Sequence, residues 1–397
     1  MTQITVFNPE HDMALANGDR HFIAPRNIRE MARDLTPLMN FIDGEDIIVW
    51  GWDHAIKSHL LRMGITAEAL PTDAALTALR KCSERQAAHH LLRAFRADHP
   101  DGPYAGESIL AHCIDDIATY ATQHGHIILK DPLSSSGKGL RHVKEHQETQ
   151  LNPPCEGGLE APRCHPPEGW GGSISSWANT LIKRHGYLTA EPYYDKVQDF
   201  AMEFCINGEE CRFIGYSLFN TNHHGRYESN LLMADERIED LLAQYIPHST
   251  LHEVRDWVIT HTDRFIPTEW NTAKHPLYFG IDMMIIYESQ QSMDKAKINS
   301  EFKIQNSEFL LHPCVEINLR LNMGIIAHEV RRKLLAPGTE GSFHVTAFPT
   351  EEAAQQFHQE YTTKYPPVYR EGKIVSGYHP LTPIHPHTRH HAYVICG

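Results

Sequence analysis

Asn207-Gly208 stands between two β-rich runs, residues 199–206 and 210–218. An Asn-Gly link favours the type I′ turn, in which both central residues take φ > 0 and the turn twist matches that of the strands it joins. The middle of the chain must therefore contain antiparallel sheet. The beginning imposes a different constraint. Apolar runs at 4–7 and 47–50 alternate with helical periodicity over 27–39 and 53–63, a βαβα order that predicts a small parallel sheet. A chain that opens parallel and continues antiparallel is α/β followed by α+β, and its 397 residues suffice for two or three units around a cleft.

Helical spacing recurs over 84–96 and 113–123, and a strand follows at 126–130. Residues 151–172 are dense in Pro and Gly and read as a surface loop. Ser173 can cap a helix reaching 184, with a strand at 187–192. Thr250-Leu251-His252-Glu253 has capping-box spacing, which predicts a helix ending near 265. Strands at 277–287 and 309–318 follow, with the polar stretch 288–307 as an extended hairpin loop. A helix over 324–335 comes next, and the tail carries strand-like runs such as 343–348 and 392–396 around one helix. The division this suggests is 1–83, 84–193 and 194–397, the last with a C-terminal extension.

Composition excludes several classes of partner. The formal net charge of −14, without a long Lys/Arg run, provides no footprint for a phosphate backbone or an anionic bilayer. No stretch of about eighteen apolar residues occurs, so no membrane span is expected. Eight scattered cysteines without a C-x-x-C pair, and an N-terminus lacking the basic and apolar regions of an export signal, point to the cytoplasm.

Two segments carry chemistry. The first is the strand ending in Lys130, then Asp131-Pro132-Leu133-Ser134-Ser135-Ser136-Gly137-Lys138-Gly139, then the β-like run 140–143. Glycine permits close approach of backbone N–H groups and serine adds donors, so a strand–loop–strand of this kind can fold over a polyphosphate. It is not a Walker A motif, because Gly139 follows Lys138 and a strand rather than a helix comes after. The alternative is an ordinary turn, which does not explain a lysine at the end of an apolar strand.

The second segment is Cys314-Val315-Glu316-Ile317-Asn318-Leu319-Arg320. Strand alternation puts Glu316, Asn318 and Arg320 on one face. Carboxylate and amide oxygens suit Mg²⁺, and a guanidinium suits phosphate or carboxylate. Asp282 lies inside the apolar run 278–287, where an unpaired carboxylate is costly. If the two strands pair, Asp282 falls beside Glu316. At the ends of the first two strands, Asn8 to Asp12 and Gly51 to His54 are polar clusters at the sheet edge where α/β proteins bind ligands; Asp12 and Asp53 read equally as helix N-caps.

The order of Lys130, the Ser134 to Gly139 loop, Glu191-Pro192-Tyr193-Tyr194-Asp195, Phe279-Gly280-Ile281-Asp282 and Glu316-x-Asn318-x-Arg320 resembles the ATP-grasp superfamily over residues 81–335. The resemblance implies an ATP-grasp fold with a Rossmann-like N-terminal domain and ATP held between two subdomains. It implies that Lys130 contacts the adenine side and α-phosphate, and that Ser134, Ser135, Ser136, Gly137, Lys138 and Gly139 close over the outer phosphates. Glu191, Tyr193 and Asp195 would line the adenine and ribose. Asp282, Glu316 and Asn318 would hold Mg²⁺ or Mn²⁺, and Arg320 would act on the transferred phosphoryl. The implied activity is ADP-forming ligation of a small carboxylate to an amine. A kinase on the same fold, or a nucleotide-binding regulator, are the alternatives, and a homodimer is compatible with either.

Other residues are weaker signals. A further basic residue before the lid would be Lys81 or Arg85, and Arg212 is either a phosphate contact or a surface cation. Asn222-His223-His224-Gly225-Arg226-Tyr227 can line an acceptor site. His385, His387, His390 and His391, like Cys155, Cys164 and His165, lack zinc-ligand spacing.

Overall fold

A computed structural model of the chain describes residues 3–44, 46–134, 139–144, 172–221, 227–272, 274–288 and 309–397. Strands β1 (Ile4–Val6) and β2 (Ile47–Val49) pair in parallel, Ile4 opposite Ile47 and Val6 opposite Val49. Between them run α1 (His11–Asn17), α2 (Arg26–Leu35) and a 3-10 turn, Thr36–Phe41. The helix expected over 27–39 thus tightens at Thr36, where Pro37 removes an N–H donor. Asp53 caps α3 (His54–Arg62), its Oδ1 accepting the Ile56 N–H at 2.8 Å. Thr72 caps α4 (Asp73–Cys82), a helix absent from the sequence reading, and α5 (Arg85–Asp98) follows.

A small sheet comes next, built from β3 (Ile109–Ala111), β4 (His126–Lys130), β5 (Leu140–Lys144) and β6 (Leu188–Pro192) in the order β3-β6-β4-β5. Helices α6 (Ile114–His124) and α7 (Gly172–His185) pack on it. Ser173 lies inside the first turn of α7 rather than capping it. Ile117, Ile127, Leu129, Ala178 and Leu188 form a core separate from the rest of the molecule. Helix α5 joins the main core instead, through Ala88, Leu91, Leu92 and Phe95.

The Asn207-Gly208 hairpin forms between β7 (Lys196–Asn207) and β8 (Glu210–Ser217), with Asn207 opposite Glu210. Then come β9 (Phe219–Thr221), β10 (Tyr227–Leu232), α8 (Asp235–Leu242) and α9 (His248–Thr260). The capping box expected at Thr250 is not formed. Pro247, extended at ψ 146°, precedes the first helical residue, so α9 starts at His248 and Thr250 is buried in its first turn. Strands β11 (Leu277–Tyr287) and β12 (Phe309–Asn318) complete an antiparallel sheet of order β12-β11-β7-β8. One face of it, with Phe200, Met202, Phe204, Phe279, Ile281 and Met283, packs against α8 and α9 in the largest core.

Helix α10 (Met323–Leu334) is capped by Asn322, whose Oδ1 accepts the Ile325 N–H at 2.9 Å. The tail folds as β13 (Gly341–Ala347), α11 (Glu351–Lys364), β14 (Val368–Arg370), β15 (Lys373–Pro380) and β16 (His390–Cys396). These strands join β9 and β10 in a six-stranded sheet of order β14-β15-β16-β13-β10-β9. Alternation along β2 couples the layers: Ile47 and Val49 enter the largest core, while Ile48 and Trp50 pack with α10, Phe343 and Val394. Asp34 of α2 accepts the N–H groups of Arg389 and His390 at 2.8 and 3.0 Å, tying the beginning of the fold to its last strand.

Candidate functional site

The open face of the central sheet carries acids. Asp282 on β11 lies opposite Glu316 on β12 and opposite Ala201 on β7, while Gly280 lies opposite Asn318 and Glu203. Residues that face one another across antiparallel strands project to the same side. Asp282, Glu316, Asn318 and Glu203 therefore share one surface, as expected for the first three. Asn318 Nδ2 lies 3.4 Å from Asp282 Oδ2. Burial, reinforced by the neighbouring Glu316 carboxylate, raises the pKa of Asp282 well above the carboxylate range.

Glu203 is the acid the sequence reading missed. It is buried, and desolvation pushes its pKa up to about 8 although Asn322 Nδ2 donates to its Oε2 at 2.6 Å. The signal that marks Asp282, a carboxylate within an apolar run, is present here too, in Ala-Met-Glu-Phe-Cys-Ile at 201–206. Two glycines make room for it. A Cβ on Gly324 would sit 2.2 Å from Glu203 Oε1, and one on Gly280 would sit 2.4 Å from Oε2.

Two guanidinium groups flank the acids. Arg85, the first residue of α5, is buried; its Nε donates to the Asp131 carbonyl at 3.1 Å and its Nη2 to the Ser134 carbonyl at 3.3 Å. Its Nη1 lies 3.2 Å from Glu316 Oε2. Of the two basic candidates before the lid, Arg85 is thus the one at the site, and Lys81 is exposed. The Arg320 guanidinium is already engaged by protein groups. Its Nε and Nη2 each bond Asp12 at 3.0 Å, and Nη2 also reaches Asn318 Oδ1 at 3.1 Å. Asp12 is accordingly no N-cap: it lies within α1 and holds this arginine.

Lys130, at the end of β4, pairs with Glu191 on β6 at 2.5 Å, both side chains buried, and its Nζ lies 3.5 Å from the Val315 carbonyl. Beyond Lys130 the loop closes on itself. Asp131 N–H donates to the Gly139 carbonyl at 2.9 Å, and Asp131 Oδ1 accepts the Leu133 N–H at 3.0 Å. Any side chain on Gly139 would meet Ser134, since a Cβ there would be 2.0 Å from its Oγ. Ser135, Ser136, Gly137 and Lys138 lie outside the described residues, as do Asn222 to Arg226 and residues 145–171 and 289–308.

The expected adenine-lining segment is already engaged in part. The Tyr193 N–H donates to the His126 carbonyl at 2.9 Å and its ring stacks on His126 at 4.2 Å, so that N–H is not free for adenine. The Asp195 side chain is exposed, and its carbonyl accepts the Tyr287 N–H at 3.3 Å. Arg212 is an exposed residue near the hairpin turn. The histidine tail does not converge: His391 is buried and spends both nitrogens, on Tyr378 at 2.6 Å and Thr382 at 2.9 Å, while His385 and His387 are exposed.

The polar cluster of the N-terminal unit lies against this site. His11 Nδ1 is 3.0 Å from Asp53 Oδ2, and Asn8 bridges the Gly51 backbone through bonds of 2.8 and 3.2 Å. Gly51 is required here, because a Cβ would stand 2.4 Å from the His11 ring. A cleft of about 330 Å³ runs between the two units, lined by His11, Asp12, Ser83, Ser134, Glu316 and Asn318. Hard oxygen donors converging beside two arginines and a glycine-dependent loop form a set that fits a magnesium-bound polyphosphate.

A two-layer lid of sheet and helices, a central antiparallel sheet with acids on its open face, and a βα-type N-terminal unit constitute the ATP-grasp fold. The chain superimposes on the ADP complex of N5-carboxyaminoimidazole ribonucleotide synthetase (purK) with a TM-score of 0.50, covering 100% of this chain and 92% of that one at 8% identity. A biotin carboxylase from Campylobacter jejuni, in complex with β,γ-ATP, gives a TM-score of 0.48 at 12% identity, covering 99% of this chain and 81% of that one. No protein-family model and no curated protein sequence matches the chain.

Proposed function

We propose that the protein is a Mg-ATP-dependent ligase that activates a small carboxylate as an acyl phosphate and transfers the acyl group to an amine, releasing ADP and phosphate. The observation that carries this reading is the convergence of Asp282, Glu316 and Asn318 on one sheet face, beside Arg85 and below the 131–139 loop. The purK structure on which the chain superimposes is titled as an ADP complex, which agrees with nucleotide binding in this fold.

Asp282, Glu316 and Asn318 would hold the magnesium, whose charge neutralises the phosphate oxygens during transfer. Lys130 and the loop from Ser134 to Gly139 would bind the phosphates, and Arg85 would keep the loop base and Glu316 in fixed relation. Arg320 would exchange Asp12 for the substrate carboxylate or the phosphoryl group, both of which accept bidentate bonds. His11, which contacts Asp53 and lines the same cleft, would take a proton from the incoming amine. A kinase would use the same groups but would release ADP without needing an amine.

Thermal unfolding with and without Mg-ATP tests the nucleotide site. Saturation near a hundred times the dissociation constant adds about 2.7 kcal/mol, which raises the midpoint by several degrees. Glu316→Ala should abolish the magnesium-dependent part of the shift. A wild-type midpoint unmoved by any nucleotide would remove the basis of the proposal. With the site established, ADP release assayed against small acids, with and without amines, separates ligase from kinase.

A further inference from the structure

The corrected start of α9 has a chemical consequence. With the helix beginning at His248, His248 and His252 lie one turn apart on the same face. Their rings are 6.4 Å apart. Glu239 of the preceding helix α8 lies between them: its carboxylate is 3.2 Å from His252 Nε2 and 3.7 Å from His248 Nδ1. One ligand atom from each of the three residues falls within 4.8 Å of the others. Among the described residues this is the one such group that contains histidine nitrogens.

We propose that Glu239, His248 and His252 form a site for a first-row divalent cation of the zinc class, joining α8 to α9 on the side of the central sheet away from the nucleotide cleft. Two imidazoles and one carboxylate match a three-ligand zinc set, with the fourth position left to water. Bonds of about 2.0–2.1 Å in a tetrahedron put ligand atoms roughly 3.4 Å apart, near the carboxylate–imidazole separations of 3.2 and 3.7 Å already present. The two histidines are nearly half exposed, at 46% and 42%, and have room for the small rotation that closes the set. The frame behind them is fixed. Ile238, Leu242, Leu251 and Val254 are all buried in the main core, and Glu239 itself is 16% exposed. Nitrogen donors distinguish this site from the all-oxygen set of Asp282, Glu316 and Asn318, which suits magnesium.

The test is competition for Zn²⁺ between a chromophoric chelator and the full chain, with a His248→Ala/His252→Ala double variant alongside. Other histidines bind weakly in both proteins, so the difference is the readout. The wild type should hold one equivalent at least about 100-fold tighter than the variant, beyond the loss expected from removing an outer-shell partner alone. Co²⁺ should give the visible absorption of a tetrahedral site in the wild type only. Superimposable titrations would overturn the proposal. If the double variant proves less stable in chelator, Glu239→Gln decides, because it leaves both rings in place: a comparable loss of affinity supports the site, and unchanged affinity overturns it. Excess Mg²⁺ should not displace the bound ion. None of these outcomes depends on the ligase reading.

Discussion

Arg85 shows how one side chain can tie a loop to the central sheet. It donates to two carbonyls of the loop base and pairs with Glu316, and its side chain is only 8% exposed. Removing one partner of a buried pair leaves the other uncompensated, typically at about 3–5 kcal/mol. Because Glu316 keeps some solvent contact, Arg85→Ala should cost about 2–3 kcal/mol in urea unfolding at unchanged m-value. Arg85→Lys should recover only part of this, since an ammonium cannot reproduce the fork. Gly51 acts at the same scale by lacking atoms. Gly51→Ala drives a methyl against the His11 ring, and overpacking of this kind costs about 1–3 kcal/mol. The cost should shrink in a His11→Ala background, and a double-mutant cycle showing no coupling would refute the close approach.

At the scale of elements, α10 carries a pH-sensitive contact. Burial alone would lower the His328 pKa, but Asp235 and Glu329 outweigh it and raise the value to about 9. A histidine that gains protons on folding contributes stability fully below its unfolded pKa of about 6.5. That contribution fades as pH rises through about 9. The unfolding free energy should therefore fall between these values, and the profile of His328→Gln should be flatter over the same window.

The elements also show what a single sequence discloses. The limits of β4, β11 and β12, and the register that sets Asp282 against Glu316, were legible because apolar runs bounded by polar residues determine strand ends and alternation determines faces. The start of α9 was not, because the local box at Thr250 competed with a proline-led start whose buried stripe includes Thr250 itself. Nor were the partners of Arg320 and Arg85 legible. Asp12 is 308 residues from Arg320, and no local pattern encodes a pairing of that span.

For the whole molecule, the separate core of the small sheet matters most. Its apolar residues come from α6, α7 and β3 to β6, and it meets the rest of the fold through a few specific contacts, such as Lys130 with the Val315 carbonyl and Tyr187 with Glu84. A small core joined by polar links should open at lower free energy than the sheet of β7 and β11. Amide exchange should accordingly be faster in β4 and β6 than in β7 and β11. If Mg-ATP binds between the two layers as proposed, it should slow exchange selectively; uniform protection across both sheets would contradict separate opening.

The bonds from Asp34 to the N–H groups of Arg389 and His390 bear on how the chain is made. During synthesis, α2 emerges early, yet the strand that completes its hydrogen bonds and covers its apolar side is translated more than 350 residues later. At about 5–20 residues per second the first helices wait tens of seconds for that partner. Until β16 appears, the apolar residues of α2 that pack with it, Met31, Ala32 and Leu35, lack the cover they have in the finished fold.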